Sequence, residues 1–186
     1  IPYDLFSPVL QELIDEHKII SSELDKFEQT LLKIRKEGFD RETNKQLTLF
    51  FEFLDEKIVR HHLKEDRYLF PLLHQRLLEV GEHSVGEIPE TAVDMMENDH
   101  IKTMQLAALI FNIIGISARV PDAASRLMLL DFAVEHGMTL TEAMRLHIFR
   151  EDNVVFALAH KHLTNGEFIE MNNKLKQSFH PLKNLV

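Results

Sequence analysis

The chain contains no cysteine. Disulfides, thiolate metal sites and cysteine nucleophiles are therefore excluded. The absence fits a reducing compartment, so a cytoplasmic location is expected. Basic residues are also short: 21 Lys and Arg stand against 30 Asp and Glu, a formal net charge of −9. That balance argues against nucleic-acid backbones and anionic membranes as partners. No apolar run reads as long enough to span a bilayer. Ile1 to Leu10 carry no basic stretch, and a signal peptide is not expected there. Strand signals are missing too, because β-branched runs are short and do not alternate.

Glycine and proline number six each in 186 residues, and most fall where helices should end. Ser7-Pro8 reads as an N-cap followed by proline in the first turn, and Gly38 closes that segment. Asp40 caps a second segment running to Gly81, with Pro71 expected to kink it. His83 to Pro89 reads as a loop. A third helix is expected from Glu90 to before Pro121, and a fourth from Asp122 to Asn165-Gly166. Gly137, with a Thr139–Glu142 capping box after it, predicts a break in the fourth. A short fifth helix, about 167–179, precedes Pro181.

Apolar residues recur at alternating steps of three and four. The first helix gives Leu10, Leu13, His17, Ile20, Leu24, Phe27, Leu31 and Ile34. The second gives Leu47, Phe51, Leu54, Ile58, His61, Glu65, Tyr68 and Leu72; the third Val93, Met96, His100, Ala107 and Ile114; the fourth Leu140, Met144, His147, Glu151, Val154 and Leu158. These are seam positions of an all-α, up-down-up-down antiparallel four-helix bundle over about residues 5–164, with a short extra C-terminal helix. Residues 1–186 are expected to form one domain.

Four histidines and two glutamates occupy seam positions where leucine or isoleucine would be ordinary. They also repeat. His61-His62-Leu63-Lys64-Glu65-Asp66 aligns with His147-Ile148-Phe149-Arg150-Glu151-Asp152, and Glu16-His17 with Asp99-His100. Each half of the chain thus supplies one histidine and then His-x-x-x-Glu. Residues four apart share a helix face, so each such pair can reach one centre. Imidazole suits iron, zinc, copper and nickel, and a carboxylate can bridge two ions. Buried without metal, these six groups would be costly. His17, His61, Glu65, His100, His147 and Glu151 are therefore the candidate ligands of a two-metal site, with His62 as the alternative to His61.

The remaining histidines, His74, His83, His136, His160, His162 and His180, lack a repeat partner or lie near ends and loops, and read as surface residues. Tyr68 reads as core, with a hydroxyl that could reach the cluster. Phe149 is a candidate wall against water. Glu16 and Asp99 could accept hydrogen bonds from ligand histidines, although solvated acids are the simpler reading.

At these residues the chain resembles the hemerythrin-like HHE cation-binding domain. The family signature His-x-x-x-Glu-(Glu/Asp)-x-x-Leu-Phe-Pro reads here as His61, Glu65, Asp66, Leu69, Phe70 and Pro71. A second copy reads His147, Glu151, Asp152, Val155 and Phe156, with Ala157 in place of proline. The resemblance implies a non-haem site of two iron ions, oxo- or hydroxo-bridged, with both carboxylates bridging. Zinc or another divalent metal could load instead. Oxygen-carrying hemerythrins have a fifth histidine four residues after the third-helix ligand, where this chain has Met104. They also use an aspartate at the offset of Asp152, but Glu151 fits the internal repeat. The chain therefore resembles the four-His, two-Glu subgroup, linked to nitric-oxide and oxidative-stress defence and to iron–sulfur repair. Repair proteins of that subgroup carry a cysteine-containing segment, and this chain has no cysteine. A ferritin-like site needs Glu-x-x-His on two helices, and Glu97-x-x-His100 alone fits.

These readings lead to a binder or sensor of a diatomic ligand, O2 or NO, ahead of a di-iron enzyme reducing NO or peroxide, with protons from Tyr68 or Glu97. A structural cation-binding module is the third reading. Sensing would need a protein partner, and Phe168, Ile169 and Leu175 of the fifth helix could serve a homodimer or cap the bundle.

Overall fold

The computed structural model describes residues 1–179. His180 and Pro181, read above as a surface residue and a helix stop, lie outside the described residues. The described residues are helical, with no strand among them. After a short turn of 3-10 helix at Tyr3–Leu5, α1 spans Pro8–Glu37. α2 consists of Arg41–Phe53, Val59–Lys64 and Phe70–Glu79, joined by π turns at Leu54–Ile58 and Glu65–Leu69. α3 spans Ala92–Ser117. α4 consists of Ala123–Arg150 and Phe156–His162, joined by a π turn at Glu151–Val155. α5 spans Asn165–Phe179.

The helix starts follow their capping residues. Asp40 accepts from the Thr43 backbone N–H at 2.7 Å while the Thr43 hydroxyl accepts from the Asp40 N–H at 2.9 Å. At the start of α3 the Thr91 N–H donates to Asp94 at 2.7 Å and the Val93 N–H to the Thr91 hydroxyl at 3.2 Å, and the Ser125 N–H donates to Asp122 ahead of α4. Each cap satisfies amide groups that a helix end leaves without an internal acceptor. Gly38 and Gly81 close α1 and α2 at φ +93° and +77°, the left-handed region where glycine carries no Cβ penalty. α5 begins two residues earlier than the glycine at 166 suggests, because Thr164 caps it: Thr164 N–H donates to Glu167 at 2.7 Å.

The chain divides into two compact units, each with its own apolar core. The first unit takes Ile1–His17, Arg60–Glu97 and the chain from Phe149 on. Its core includes Leu10, Leu13, Leu69, Phe70, Leu73, Leu77, Met96, Val155, Phe156 and Ala159. The second takes Lys18–Val59 and Asn98–Ile148, with Ile20, Leu24, Phe27, Leu31, Leu47, Leu54, Ile110, Leu140 and Met144 in its core.

All eight expected seam positions of α1 are buried. On α2 and α4 the seam holds as far as the glutamates except at Phe51, which is half-buried while its neighbour Phe50 is buried. Beyond Glu65 the buried stripe runs through Leu69, Leu73 and Leu77, with Phe70 beside it, not through the expected Tyr68 and Leu72, which are half-buried. Beyond Glu151 they are Val155, Ala159 and Leu163, while Val154 is exposed. The π turns Glu65–Leu69 and Glu151–Val155 each begin at the glutamate, whose carbonyl accepts from the N–H five residues on, Phe70 or Phe156. A π turn holds one extra residue and displaces the buried face by one position. Pro71 follows the first such turn in place of a simple kink. Ala157 follows the second, so proline is not its cause.

Three further expectations change. Gly137 does not break α4; a Cβ there would sit 2.6 Å from Leu31 Cδ1, so glycine is needed for close approach to α1. Thr139 bonds back to the Glu135 carbonyl inside the helix and caps nothing. α3 is long and apolar enough to cross a membrane by length and composition, contrary to the expectation of no such run. It nevertheless carries buried His100 and Thr103 and supplies Met96 to one core and Ile110 to the other, which suits a core helix. On α5, Phe168 and Leu175 are buried in the first unit's core, and Ile169 is exposed.

Candidate metal centre

His17 faces inward because it lies on the α1 stripe between Leu13 and Ile20, both buried. His61 and Glu65 share a face of α2 through their four-residue spacing, and Glu151 opens the π turn of α4. Within the first unit these four side chains form one cluster. Their ligand-type atoms all lie within 4.8 Å of one another. His17 Nε2 is 2.9 Å from His61 Nε2 and 3.1 Å from Glu151 Oε2, and His61 Nε2 is 3.4 Å from Glu65 Oε1. Both glutamates are fully buried, at 0% exposure.

The outer nitrogens of both imidazoles meet carboxylates. His17 Nδ1 donates to Asp152 Oδ1 at 2.8 Å, and His61 Nδ1 donates to Glu16 Oε2 at 2.8 Å. An ionised carboxylate only accepts, so each Nδ1 carries the proton. In the neutral rings the two Nε2 lone pairs then face each other at 2.9 Å, an arrangement that calls for a cation or a proton between them. Lys64, buried on α2, donates to Glu12 at 2.6 Å and to the other oxygen of Glu16 at 2.5 Å. Its own pKa is raised: burial pulls it down, but the bonds to Glu12 and Glu16 outweigh that.

His17 registers the same demand for positive charge. Burial alone would lower its pKa, but the hydrogen bonds to Asp152 and Glu151 and the charges of Glu151 and Glu65 outweigh it and push it up to about 10. Glu16 is held below the usual carboxylate range: burial raises it, but His61 and Lys64 more than compensate. Phe156 stacks on His17, ring centroids 5.5 Å apart and nearly parallel, and shields that face of the imidazole.

The second unit holds a matching pair. His100 Nε2 lies 3.1 Å from His147 Nε2, with ring centroids 4.8 Å apart at 63°. The His17–His61 rings are 4.7 Å apart at 62°. The sequence repeat is thus a repeat of geometry. His147 Nδ1 stands 3.8 Å from Asp99 Oδ2.

The donor set fits a metal ion. An ion bound tetrahedrally at about 2.0–2.1 Å keeps its donors roughly 3.3 Å apart, close to the separations within the tetrad. The carboxylate–imidazole–centre chain is the usual support for a metal-binding histidine. The structure therefore brings His17, His61, Glu65 and Glu151 together, and pairs His100 with His147.

Sequence reasoning undervalued Glu16, Asp152 and Lys64. Their signal was positional: acids adjacent to ligand residues, and a lysine one step before a buried glutamate. His62, one step off the expected seam, is also buried. Tyr68 does not serve the tetrad; its hydroxyl bonds Ser178 at 2.7 Å. Phe149 is 61% exposed and walls nothing, and Glu97 is exposed as well.

The described residues are helical and carry buried, carboxylate-supported histidine and glutamate clusters that could hold a metal ion, the class of a helical cation-binding domain. Residues 9–159 match the hemerythrin HHE cation binding domain, and the chain belongs to that family. No curated protein matches the chain at a significant level.

Proposed function

We propose that this chain is a non-haem di-iron protein that binds or senses a diatomic ligand, O2 or NO. The observation that carries the reading is the pair of facing imidazoles, Nε2 to Nε2 at 2.9 Å and 3.1 Å. In this reading the four long helices form an up-down-up-down antiparallel bundle. His17, His61, Glu65 and Glu151 hold one ion. His100 and His147 supply the imidazoles for the other. Bound iron supplies open coordination positions for a small ligand at a centre of low net charge.

The chain's own residues favour binding over turnover. Asp152 and Glu16 fix the imidazole tautomers, and Phe156 keeps water from His17. Tyr68, the candidate proton donor, is engaged elsewhere. Four imidazoles and two carboxylates are also fewer anionic donors than a carboxylate-rich centre offers. Enzymatic defence against nitrosative or oxidative stress is the second reading, and a structural cation-binding module, with zinc or another divalent ion, the third. The reading places the protein in the cytoplasm, acting on a small ligand without nucleic acid or membrane, as a homodimer or with a protein partner that carries the output.

The test is metal content per chain by elemental mass spectrometry on protein from iron-replete cells, followed by O2 and NO titrations. Close to two irons and a saturable optical change, abolished by His17→Ala and by His147→Ala, are expected. Sustained consumption of NO or peroxide with a reductant would move the assignment to an enzyme. A folded protein that takes up no metal would overturn the reading.

A further inference from the structure

Lys64 is 6% exposed and stands one residue before the fully buried Glu65. A lysine normally keeps its ammonium in water, and a buried charge persists only when it is paired. Lys64 is paired twice: it donates to Glu12 Oε1 at 2.6 Å and to Glu16 Oε1 at 2.5 Å. The two acids are four residues apart and share one face of α1. Glu16 uses its other oxygen, Oε2, to accept from His61 Nδ1 at 2.8 Å. One chain of contacts therefore runs from a buried positive charge, through Glu16, to the imidazole whose Nε2 faces His17. All of these residues belong to the first unit.

Holding α1 to α2 is a poor account of this arrangement, because desolvation offsets most of what a buried ion pair gains. Its effect on the imidazole is more direct. A carboxylate that accepts from the outer nitrogen makes the inner nitrogen a stronger donor. An ammonium on the same carboxylate draws that charge the other way, and burial leaves the ammonium itself poorly screened. Both effects disfavour the more highly charged oxidation state of an ion at His61.

We propose that Lys64 sets the redox preference of the metal position at His61: acting through Glu16, its charge favours the reduced ion over the oxidised one. Lys64 and Glu16 are positioning residues, and Glu12 moderates the lysine by sharing its ammonium. The inference rests on the iron-binding reading above.

The midpoint potential of iron-loaded protein is measured by spectroelectrochemical titration, with helicity followed by circular dichroism. Lys64→Met should shift the relative affinity for the two oxidation states by roughly 10-fold, the lower end of what such outer contacts command. For a one-electron couple that lowers the potential by about 59 mV. Lys64→Arg keeps the charge and has donors for both acids, so it should lie closer to the parent than Lys64→Met does. Glu12→Gln should raise the potential, because it removes a negative charge and leaves the ammonium to Glu16. Opposite shifts within one contact network mark an effect of charge; loosened packing would move both variants in one direction. Lys26→Met removes the same charge from a side chain that is 64% exposed, and should leave the potential unchanged. Where Lys64→Met does not stay helical, Lys64→Gln, a neutral donor, and Glu12→Gln carry the same test. A neutral Lys64 variant with a potential equal to or above the parent's would overturn the inference while leaving the iron-binding reading intact. So would shifts of one sign in the Lys64 and Glu12 variants, or an equal drop in Lys26→Met. A helical parent protein that takes up no iron would overturn both.

Discussion

Replacing Asp152 separates the charge of a supporting residue from its shape. Asp152 accepts from His17 Nδ1 at 2.8 Å and is 31% exposed, so solvent tempers its charge without removing it. Asparagine keeps the size and an oxygen that can accept the same proton. A hydrogen bond to a charged group contributes about 1.5–3 kcal/mol against roughly 1 kcal/mol for a neutral one. Asp152→Asn should therefore cost the His17 position about 1–1.5 kcal/mol, close to a 10-fold loss of metal affinity. Asp152→Ala removes the acceptor altogether and should cost about 100-fold, the upper end for such contacts. Competition titration with a chelator measures both, and circular dichroism shows that the helices persist. Equal affinity in parent, Asn and Ala proteins would refute the role of Asp152 in orienting His17. An Asn protein as weak as the Ala protein would show that charge alone matters.

The metal-free protein should lose stability as pH rises. His17 has a folded-state pKa of about 10, above its ordinary 6.5, so its contribution is complete below pH 6.5 and is lost as pH climbs toward 10. Urea unfolding at about pH 6, 8 and 10 checks this; a midpoint that rises with pH would contradict it, and metal loading should flatten the profile because the ion replaces the proton. Gly137→Ala should destabilise by about 1 kcal/mol, an overpacking cost of roughly 1–3 kcal/mol against Leu31 exceeding the helix-propensity gain. Adding Leu31→Ala should remove the clash between the two side chains, a coupling that a double-mutant denaturation series would detect. Pro71→Ala should leave metal stoichiometry unchanged and shift stability by less than about 1 kcal/mol, since Ala157 occupies the same place after the other π turn; loss of metal in that variant would reassign the turn to proline.

Periodicity exposed most of the framework. On α1 every seam residue from Leu10 to Ile34 is buried, because an uninterrupted α-helix keeps one phase. The same rule placed His61, Glu65, His147 and Glu151 correctly, as none lies beyond the π turns that the two glutamates open. It failed three residues later, at Tyr68 and Val154, because periodicity assumes an unbroken α-helix and does not anticipate a hydrogen-bond shift of one position. Gly137 misled for a different reason: the contact that requires it is with Leu31, more than a hundred residues away in the chain. The supporting acids were visible as neighbours of ligands, yet adjacency could not say which imidazole each would reach. Glu16 precedes His17 and serves His61; Asp152 follows Glu151 and serves His17.

The π turns carry one more implication, in the arithmetic of deletions. Leu69, Leu73 and Leu77 stand 4, 8 and 12 residues after Glu65, and Val155, Ala159 and Leu163 stand at the same distances from Glu151. Removing one residue from either turn would place them at 3, 7 and 11, the spacing of an unbroken α-helix. The apolar core would therefore accept a chain one codon shorter in each arm. The additional residue answers to the ligands: Asp152 lies inside the turn, and the turn sets where its carboxylate meets His17. A single-codon deletion there is the change that would leave the helices packed and strip the imidazole of its support.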